Sequence, residues 1–372
     1  MEREELAAWL RLALTPQIGN GTARRLLAAF GLPQGIFEQP EPALAEVLTP
    51  AQVRALRTVP GDLEAQVELT WAWLSEDPER RRLCTLGDPG YPASLLHIED
   101  PPLLLYLMGL PLASGTPAVA IVGSRNATPQ GLQNARAFGQ ALAGAGVTVV
   151  SGLALGIDGA AHEGALDGAA AGQLATVAVV GTGLDRVYPR RHLALARRIA
   201  ERGLLVSEYF LGTPPLDSNF PKRNRLISGL SQGTLVVEAA LQSGSLITAR
   251  MASEQGKDVF AIPGSIHSPQ SRGCHALLRQ GAKLVESAQD VLEELRLAPP
   301  GAPRAAAAPD ASAASDDPPL LEALGFDPVV IDALVARTGI PPAALQAALL
   351  ELELAGAVAR LPGGLFQRQG SA

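Results

Sequence analysis

Cysteine is nearly absent: Cys84 and Cys274 are the only two in 372 residues, and they stand far apart without ligand spacing. That pattern supports neither a disulfide framework nor a zinc module and fits a reducing compartment. Aromatic residues are scarce as well, at 4% of the chain, so long stacking platforms are not expected. No stretch approaches the roughly 20 apolar residues of a membrane span. The opening Met1-Glu2-Arg3-Glu4-Glu5 lacks the basic start and apolar run of a secretory signal. A cytoplasmic protein without membrane contact is expected. Cations are outnumbered, giving a formal net charge of −7. This argues against a protein that coats nucleic acid indiscriminately, but leaves room for one local basic groove.

Several chemical signatures are missing too. There is no G-x-x-x-x-G-K-[ST] loop, and the first strand is followed by Gly123-Ser124-Arg125 rather than G-x-G-x-x-G. The second strand ends in Ser151-Gly152 with no carboxylate to hold a ribose. A P-loop ATPase and a dinucleotide enzyme are therefore unsupported, while a mononucleotide ligand stays open. No serine or cysteine sits in a nucleophile elbow. His162, close to Asp158, reads as a packing or loop-bracing residue. Glu208 is an isolated carboxylate, and nothing resembles a two-carboxylate metal site or a His/Cys cluster. No catalytic residue, cofactor or metal is predicted.

What is present is a succession of short apolar runs, each followed by a helix-like segment. They are Ala118–Val122, Val147–Val150, Ala175–Val180, Leu204–Val206, Leu235–Val237, Val259–Ile262 and Lys283–Val285. Near-continuous Val/Ile/Leu strands alternating with helices predict an α/β fold, a doubly wound, Rossmann-like, mostly parallel sheet covered on both faces. Ligands of such sheets bind beyond the carboxyl ends of the strands. There the chain places Gly123-Ser124-Arg125, with Thr128 poised to cap a helix starting at Pro129, then Ser151-Gly152, Gly181-Thr182-Gly183 and Ser243-Gly244-Ser245. Small and hydroxyl-bearing residues let backbone N–H groups approach a phosphate, and Arg125 adds a planar fork of donors. Taken one at a time, these glycines are equally compatible with tight turns alone.

The most concentrated signal is Phe220-Pro221-Lys222-Arg223-Asn224-Arg225-Leu226-Ile227-Ser228-Gly229-Leu230, which puts three positive charges and an amide into four residues at the opening of a helix. A helix N-terminus with added Lys and Arg is an anion site. The alternative is a solvated basic helix end.

This run resembles the F-P-x-R-N-R-x-I-x-G-L signature of the DNA-processing protein A (DprA/Smf) family. So do Gly123-Ser124-Arg125, Ser151 to Asp158 with Ala161-His162, Val180 to Asp185 with Tyr188-Pro189, Ser207-Glu208, Val237-Glu238-Ala239 and Ser243 to Ala249. The agreement covers about residues 85 to 290 in the family's order. The resemblance implies a non-enzymatic protein that binds and shields single-stranded DNA, loads a RecA-type recombinase onto it during natural transformation, and forms a homodimer. It places Ser124, Arg125, Gly152, Lys222, Arg223, Asn224 and Arg225 in the DNA groove, with Gly244 and Ser245 in a further turn. Phe220, Tyr209 and Phe210 are the aromatic candidates near that groove.

Flanking segments complete the expected organisation. Residues 1–75 read as a small helical domain in which Thr15 to Leu27 resembles a helix-hairpin-helix element, with Gln17 in place of the usual glycine. Residues 76–297 form the Rossmann-like DNA-binding domain. The Ala/Pro/Asp/Ser-rich stretch 298–319 reads as a disordered linker, and 320–372 as a winged helix. The winged helix's second helix, from Pro342, carries no Lys or Arg but has Glu351 and Glu353, so a protein-contact or auxiliary role is predicted. Arg360 and Arg368 on the wing leave DNA contact open. Two competing readings remain. One is a nucleotide-binding hydrolase or phosphoribohydrolase-like enzyme, disfavoured because Gln242-Ser243-Gly244-Ser245-Leu246 replaces P-G-G-x-G-T-x-x-E. The other is a transcription factor built on the winged helix.

Overall fold

The structure, a computed structural model, describes residues 1–297, 319–326, 328–361 and 363–369. Six helices come first: α1 (Arg3–Leu14), α2 (Asn20–Phe30), α3 (Pro33–Glu38), α4 (Glu41–Ala45), α5 (Pro50–Arg57) and α6 (Leu63–Glu76). Strands β1 (Arg81–Thr85) and β2 (Leu104–Gly109) lead into the alternating part: β3 (Ala118–Val122), α7 (Pro129–Gly144), β4 (Thr148–Ser151), α8 (Ile157–Gly168), β5 (Thr176–Val179) and α9 (Leu193–Arg202). It continues through β6 (Leu204–Ser207), α10 (Asn219–Leu230), β7 (Gly233–Val236), α11 (Ser245–Glu254), β8 (Asp258–Ala261), α12 (Arg272–Arg279), β9 (Lys283–Leu284) and α13 (Ala288–Glu294).

These strands form one nine-stranded sheet in the order β1-β2-β6-β5-β4-β3-β7-β8-β9. From β6 to β9 every neighbouring pair is parallel, as the apolar runs predict. The antiparallel pairs β1–β2 and β2–β6 add an edge that sequence reasoning did not place. The βα alternation that carries the fold signal starts only at β3, and β1 opens on Arg81 and Arg82, which do not read as a buried strand.

Both faces of the sheet are covered, and β3 shows how. Its five residues are all buried, with Val119 and Ile121 in the core shared with α7, α8 and the N-terminal helices. Ala118, Ala120 and Val122 enter a second core that holds Leu226 and Ile227 of α10 and Ala249 of α11. The two-residue period of a strand divides one apolar run between two cores, and each large side chain so buried contributes roughly 1.5–3 kcal/mol. On the first face α7 and α8 pack backbone to backbone. A Cβ at Gly164 would lie 2.0 Å from the Arg136 carbonyl oxygen, so glycine is what permits the contact. The N-terminal helices join the same core, where Tyr106 of β2 meets Trp73 edge-on and its hydroxyl pairs with Thr70 at 3.1 Å.

Past the main sheet lie α14 (Pro319–Leu324), β10 (Val329–Val330), α15 (Ile331–Thr338), α16 (Pro342–Leu354), β11 (Val358–Leu361) and β12 (Leu365–Arg368). Their strands form a separate sheet in the order β10-β12-β11, with a core built on Leu334, Leu345, Leu349 and Phe366. α14 and β10 are additions to the predicted helix-turn-helix and hairpin. The linker expected over 298–319 lies outside the described residues apart from Pro319. No single helix among the described residues is long and apolar enough to cross a membrane.

Candidate nucleic-acid interface

Strand order reverses about β3, which has β4 on one side and β7 on the other. At that switch the loops leaving two adjacent strands part, and a crevice opens beyond their carboxyl ends. A cleft of about 530 Å³ occupies it, lined by Gly123 to Asn126 after β3, Ala240 and Gln242 to Ser245 after β7, and Phe220, Pro221, Arg223, Asn224 and Ile227 of α10.

Glu238 organises the first wall. It follows β7, and its carboxylate accepts hydrogen bonds from the backbone N–H of Thr128 at 2.9 Å and from Thr128 Oγ1 at 2.5 Å. Thr128 Oγ1 in turn accepts from Gly131 N and caps α7. The Ser124 N–H donates to the Glu238 carbonyl at 2.7 Å, so one residue fixes both the Gly-Ser-Arg turn and the helix behind it. Burial holds the Glu238 carboxyl above the ordinary range against the opposing Thr128 bonds. Arg125 is exposed at the mouth, its guanidinium 5.6 Å from the Phe220 ring centroid.

The second wall is the N-terminal half of α10. Cations in a helix's first turns face the positive end of its dipole, a placement that costs stability and suits an anion. Arg223 is 4% exposed, and its Nη2 donates to the Gly152 carbonyl at 2.9 Å. Its Nε and Nη1 are buried with no hydrogen-bond partner among the described residues. Burial lowers its pKa to about 10, opposed by the charge of Asp158. Asp158 is 6% exposed and accepts from Gly152 N at 3.1 Å and Ala154 N at 3.4 Å. Burial raises its pKa, with Arg223 and the two amides opposing. Gly152 is there for room: a Cβ on it would lie 1.6 Å from Arg223 Nη1. The third wall is the first turn of α11, where the Ser243 and Ser245 hydroxyls pair at 2.7 Å and Asn224 Nδ2 reaches the Gly244 carbonyl at 3.5 Å.

Of the nine residues singled out from the sequence, Ser124, Arg125, Arg223, Asn224, Gly244 and Ser245 line this one cleft, and Gly152, Lys222 and Arg225 do not. Lys222 is exposed on α10 with no ion-pair partner among the described residues. Arg225 turns the other way. Its Nη1 and Nη2 make a two-pronged contact with Glu208 at 2.7 and 2.6 Å, and its Nε donates to the Asp100 carbonyl at 3.0 Å. Burial disfavours its charge, but the bonds and charge of Glu208 and Asp100 prevail and raise its pKa. Asp100 also accepts from Asn20 Nδ2 at 3.0 Å, tying α10 to α2. The convergence of the whole cationic tetrad on one rim is thus corrected: a helix spreads four successive residues around its circumference, so their side chains cannot share a face. Glu208, read as isolated, is the partner of Arg225.

Asp217, Gln242 and Gln270 also line the cleft and went unflagged. Gln270 comes from the loop after β8, and its Oε1 is buried without a partner among the described residues. No local motif marks it. In the N-terminal region Gln17 adopts φ 65°, the left-handed conformation that a glycine would enter more readily. Tyr209, one of the aromatic candidates, is spent on a bond from its hydroxyl to the Asn219 carbonyl at 3.1 Å.

His162 is fully buried and away from the cleft. Thr176 Oγ1 donates its proton to the Val149 carbonyl at 2.6 Å, so His162 Nδ1–H is the donor in the 2.7 Å contact to Thr176 and Nε2 is left bare. Burial chiefly, and the charges of His192 and Arg223, lower its pKa to about 3. The unfolded chain therefore binds more protons than the fold between pH 6.5 and 3, and stability falls as pH drops through that window at up to about 1.4 kcal/mol per unit. Thermal unfolding of His162→Asn across pH 4–7 is expected to show a flatter acid limb than the wild type.

Residues 82–296 match the model of the DNA recombination-mediator protein A family, and residues 303–364 match the DprA winged helix domain. Protein Smf of Escherichia coli (strain K12) is 44% identical over 307 residues, 80% of each chain. The X-ray structure of DNA processing protein A from Streptococcus pneumoniae superposes with a TM-score of 0.61 at 37% identity, covering 79% of this chain and 98% of that one. DNA processing protein A from Helicobacter pylori, a structure described for its single-stranded DNA binding mode, gives 0.51 at 32% identity over 58% of this chain and 96% of that one. With a nine-stranded Rossmann-like sheet, a crevice at its switch point and a family match over more than half of its length, the chain belongs to the DNA recombination-mediator protein A family.

Proposed function

We propose that the chain binds single-stranded DNA in the cleft between β3, β7 and α10, shields it, and delivers it to a RecA-type recombinase in the cytoplasm during natural transformation. The observation that carries this reading is Arg223, which lines a cleft with Arg125 at its mouth and whose buried guanidinium keeps two donor nitrogens unpartnered among the described residues. Burying a cation and leaving donors unmade is costly unless a ligand completes them. A DNA phosphate is the chemically matched acceptor, with Ser124, Asn224, Gly244 and Ser245 beside it and Lys222 supplying charge outside. Gly152 and Arg225 act indirectly in this reading, Gly152 by making room for Arg223 and Arg225 by anchoring α10. The recombination-mediator name of the family supports the recombinase partnership, and a homodimer is part of the same proposal.

In this reading the protein acts as a binder rather than an enzyme. His162 is walled off, and burial pushes the Cys84 and Cys274 thiols up to about 12. Among the described residues the cleft lining holds no His or Cys, and its Ser243 and Ser245 hydroxyls pair with each other. Fluorescence anisotropy with single- and double-stranded oligonucleotides over a salt series tests the reading. The three phosphate-facing cations of the cleft contribute about −2 to the log–log slope, so single-strand affinity should fall at least roughly 20-fold between 50 and 200 mM salt and exceed duplex affinity throughout. Equal affinity for duplex, or release of free base from nucleoside monophosphates, would favour the hydrolase or duplex-binding alternatives.

A further inference from the structure

We infer that Tyr188 presents a nucleobase-stacking platform that extends the cleft onto the β5–α9 connection. The inference rests on the single-stranded DNA reading above. β5 ends at Val179, and the chain passes through Gly181-Thr182-Gly183 to Tyr188-Pro189 before Arg190–His192 make a short 3-10 turn into α9.

The Tyr188 ring packs on Phe220 with centroids 5.5 Å apart and planes 32° apart. Phe220 lines the cleft and carries the Arg125 guanidinium at 5.6 Å from its centroid. Arg125, Phe220 and Tyr188 thus form one connected unit running from the mouth of the cleft outward. Gly181 lets Phe220 sit close, since a Cβ there would lie 3.0 Å from Phe220 Cδ1. The platform therefore has a firm base.

Tyr188 is nevertheless 48% exposed, in a chain with only four tyrosines and 4% aromatic residues. Phe220 is the aromatic ring packed against it, and about half of the residue remains open to water. Shortly after it Arg190 and Arg191 are exposed, and neither guanidinium makes a hydrogen bond or ion pair among the described residues. An exposed ring followed by unengaged cations is the alternation a single strand uses, bases on π faces and phosphates on charges. A duplex, whose bases are already stacked on one another, has no free base face to offer. The platform therefore adds affinity for single strands alone, and tolerates any base.

The test uses the full chain and a 20-nucleotide oligo-dT carrying one 2-aminopurine, whose fluorescence is quenched when it stacks. The position of the modified base is moved along the strand. Wild-type protein is expected to quench it. Tyr188→Ala should lose the quench and about ten-fold in affinity, while Tyr188→Phe keeps both and Tyr188→Trp matches or exceeds the wild type. Arg190→Ala combined with Arg191→Ala should flatten the salt dependence of log K by about 1.4, at ~0.7 per phosphate. If wild-type protein binds the strand and Tyr188→Ala binds and quenches as well as it does, the platform is overturned while the cleft stands. If wild-type protein does not bind the strand, both fall.

Discussion

Arg125→Glu is expected to weaken binding of a single-stranded oligonucleotide by ten- to hundred-fold at moderate salt. Arg125 is the exposed guanidinium of the Gly-Ser-Arg turn, lies at the mouth of the cleft and rests on Phe220. Reversal removes a two-donor phosphate contact, places a carboxylate against the phosphodiester and abolishes the cation–π contact that steadies the ring. The first two effects are electrostatic, so the loss should shrink as salt rises, and the log K against log salt line should flatten by at least ~0.7. Because the side chain is exposed, the fold should not change. Arg54→Glu, on an exposed face of α5 away from the cleft, serves as the comparison and should bind as the wild type does. Unaltered affinity for Arg125→Glu at 100 mM salt would remove the cleft from consideration as the DNA site.

The second large effect concerns stability. Arg223→Met should destabilise the fold by about 3 kcal/mol at pH 7, a fall in Tm of roughly 6–12 °C, because it leaves the Asp158 carboxylate buried without its cation. Asp158 keeps its bonds from Gly152 and Ala154, which limits the penalty. The pH dependence identifies the cause. Burial already raises the Asp158 pKa, and Arg223 is the strongest influence holding it down. Without Arg223 the carboxyl retains its proton to higher pH in the fold than in the unfolded chain. The fold then binds more protons than the unfolded chain above about pH 4, so stability falls as pH rises. The deficit of Arg223→Met is therefore expected to be small near pH 4 and full at pH 7. Adding Asp158→Asn should recover most of it, since the amide can still accept from both backbone N–H groups. A deficit that is the same at every pH, with no recovery in the double variant, would show that packing rather than charge explains the loss. DNA binding should stay impaired in the double variant, because the unpartnered donors of Arg223 are still missing.

How much of this was legible in the sequence differs from element to element. Ala118–Val122 coincides with β3, and every later apolar run from Val147 to Val285 overlaps a strand to within a residue or two. A strand buried on both faces is apolar at most of its positions, and nothing but the local residues is needed to see that. Thr128 before Pro129 likewise announces the start of α7 through cap and ring chemistry confined to one turn. β1 and β2 were missed because they join the sheet only through the pairing of β2 with β6, about a hundred residues away, and no local pattern specifies an antiparallel addition to a parallel sheet.

The site divides along the same line. Composition, the small residues after each strand and the basic run at Lys222–Arg225 are properties of the chain itself, and they determine a parallel sheet with small and basic residues gathered beyond the carboxyl ends of its strands. Which of those residues meet was decided only by folding. Helical geometry sends Arg223 inward over Gly152, turns Arg225 to Glu208 and leaves Lys222 in water, although the three stand within four positions of one another. Glu238 joins Thr128 across 110 residues, and Tyr188 meets Phe220 across a strand and a helix. Contacts of that kind depend on strand order and helix phase, which are set by the packing of the whole core, so no reading of neighbouring residues contains them.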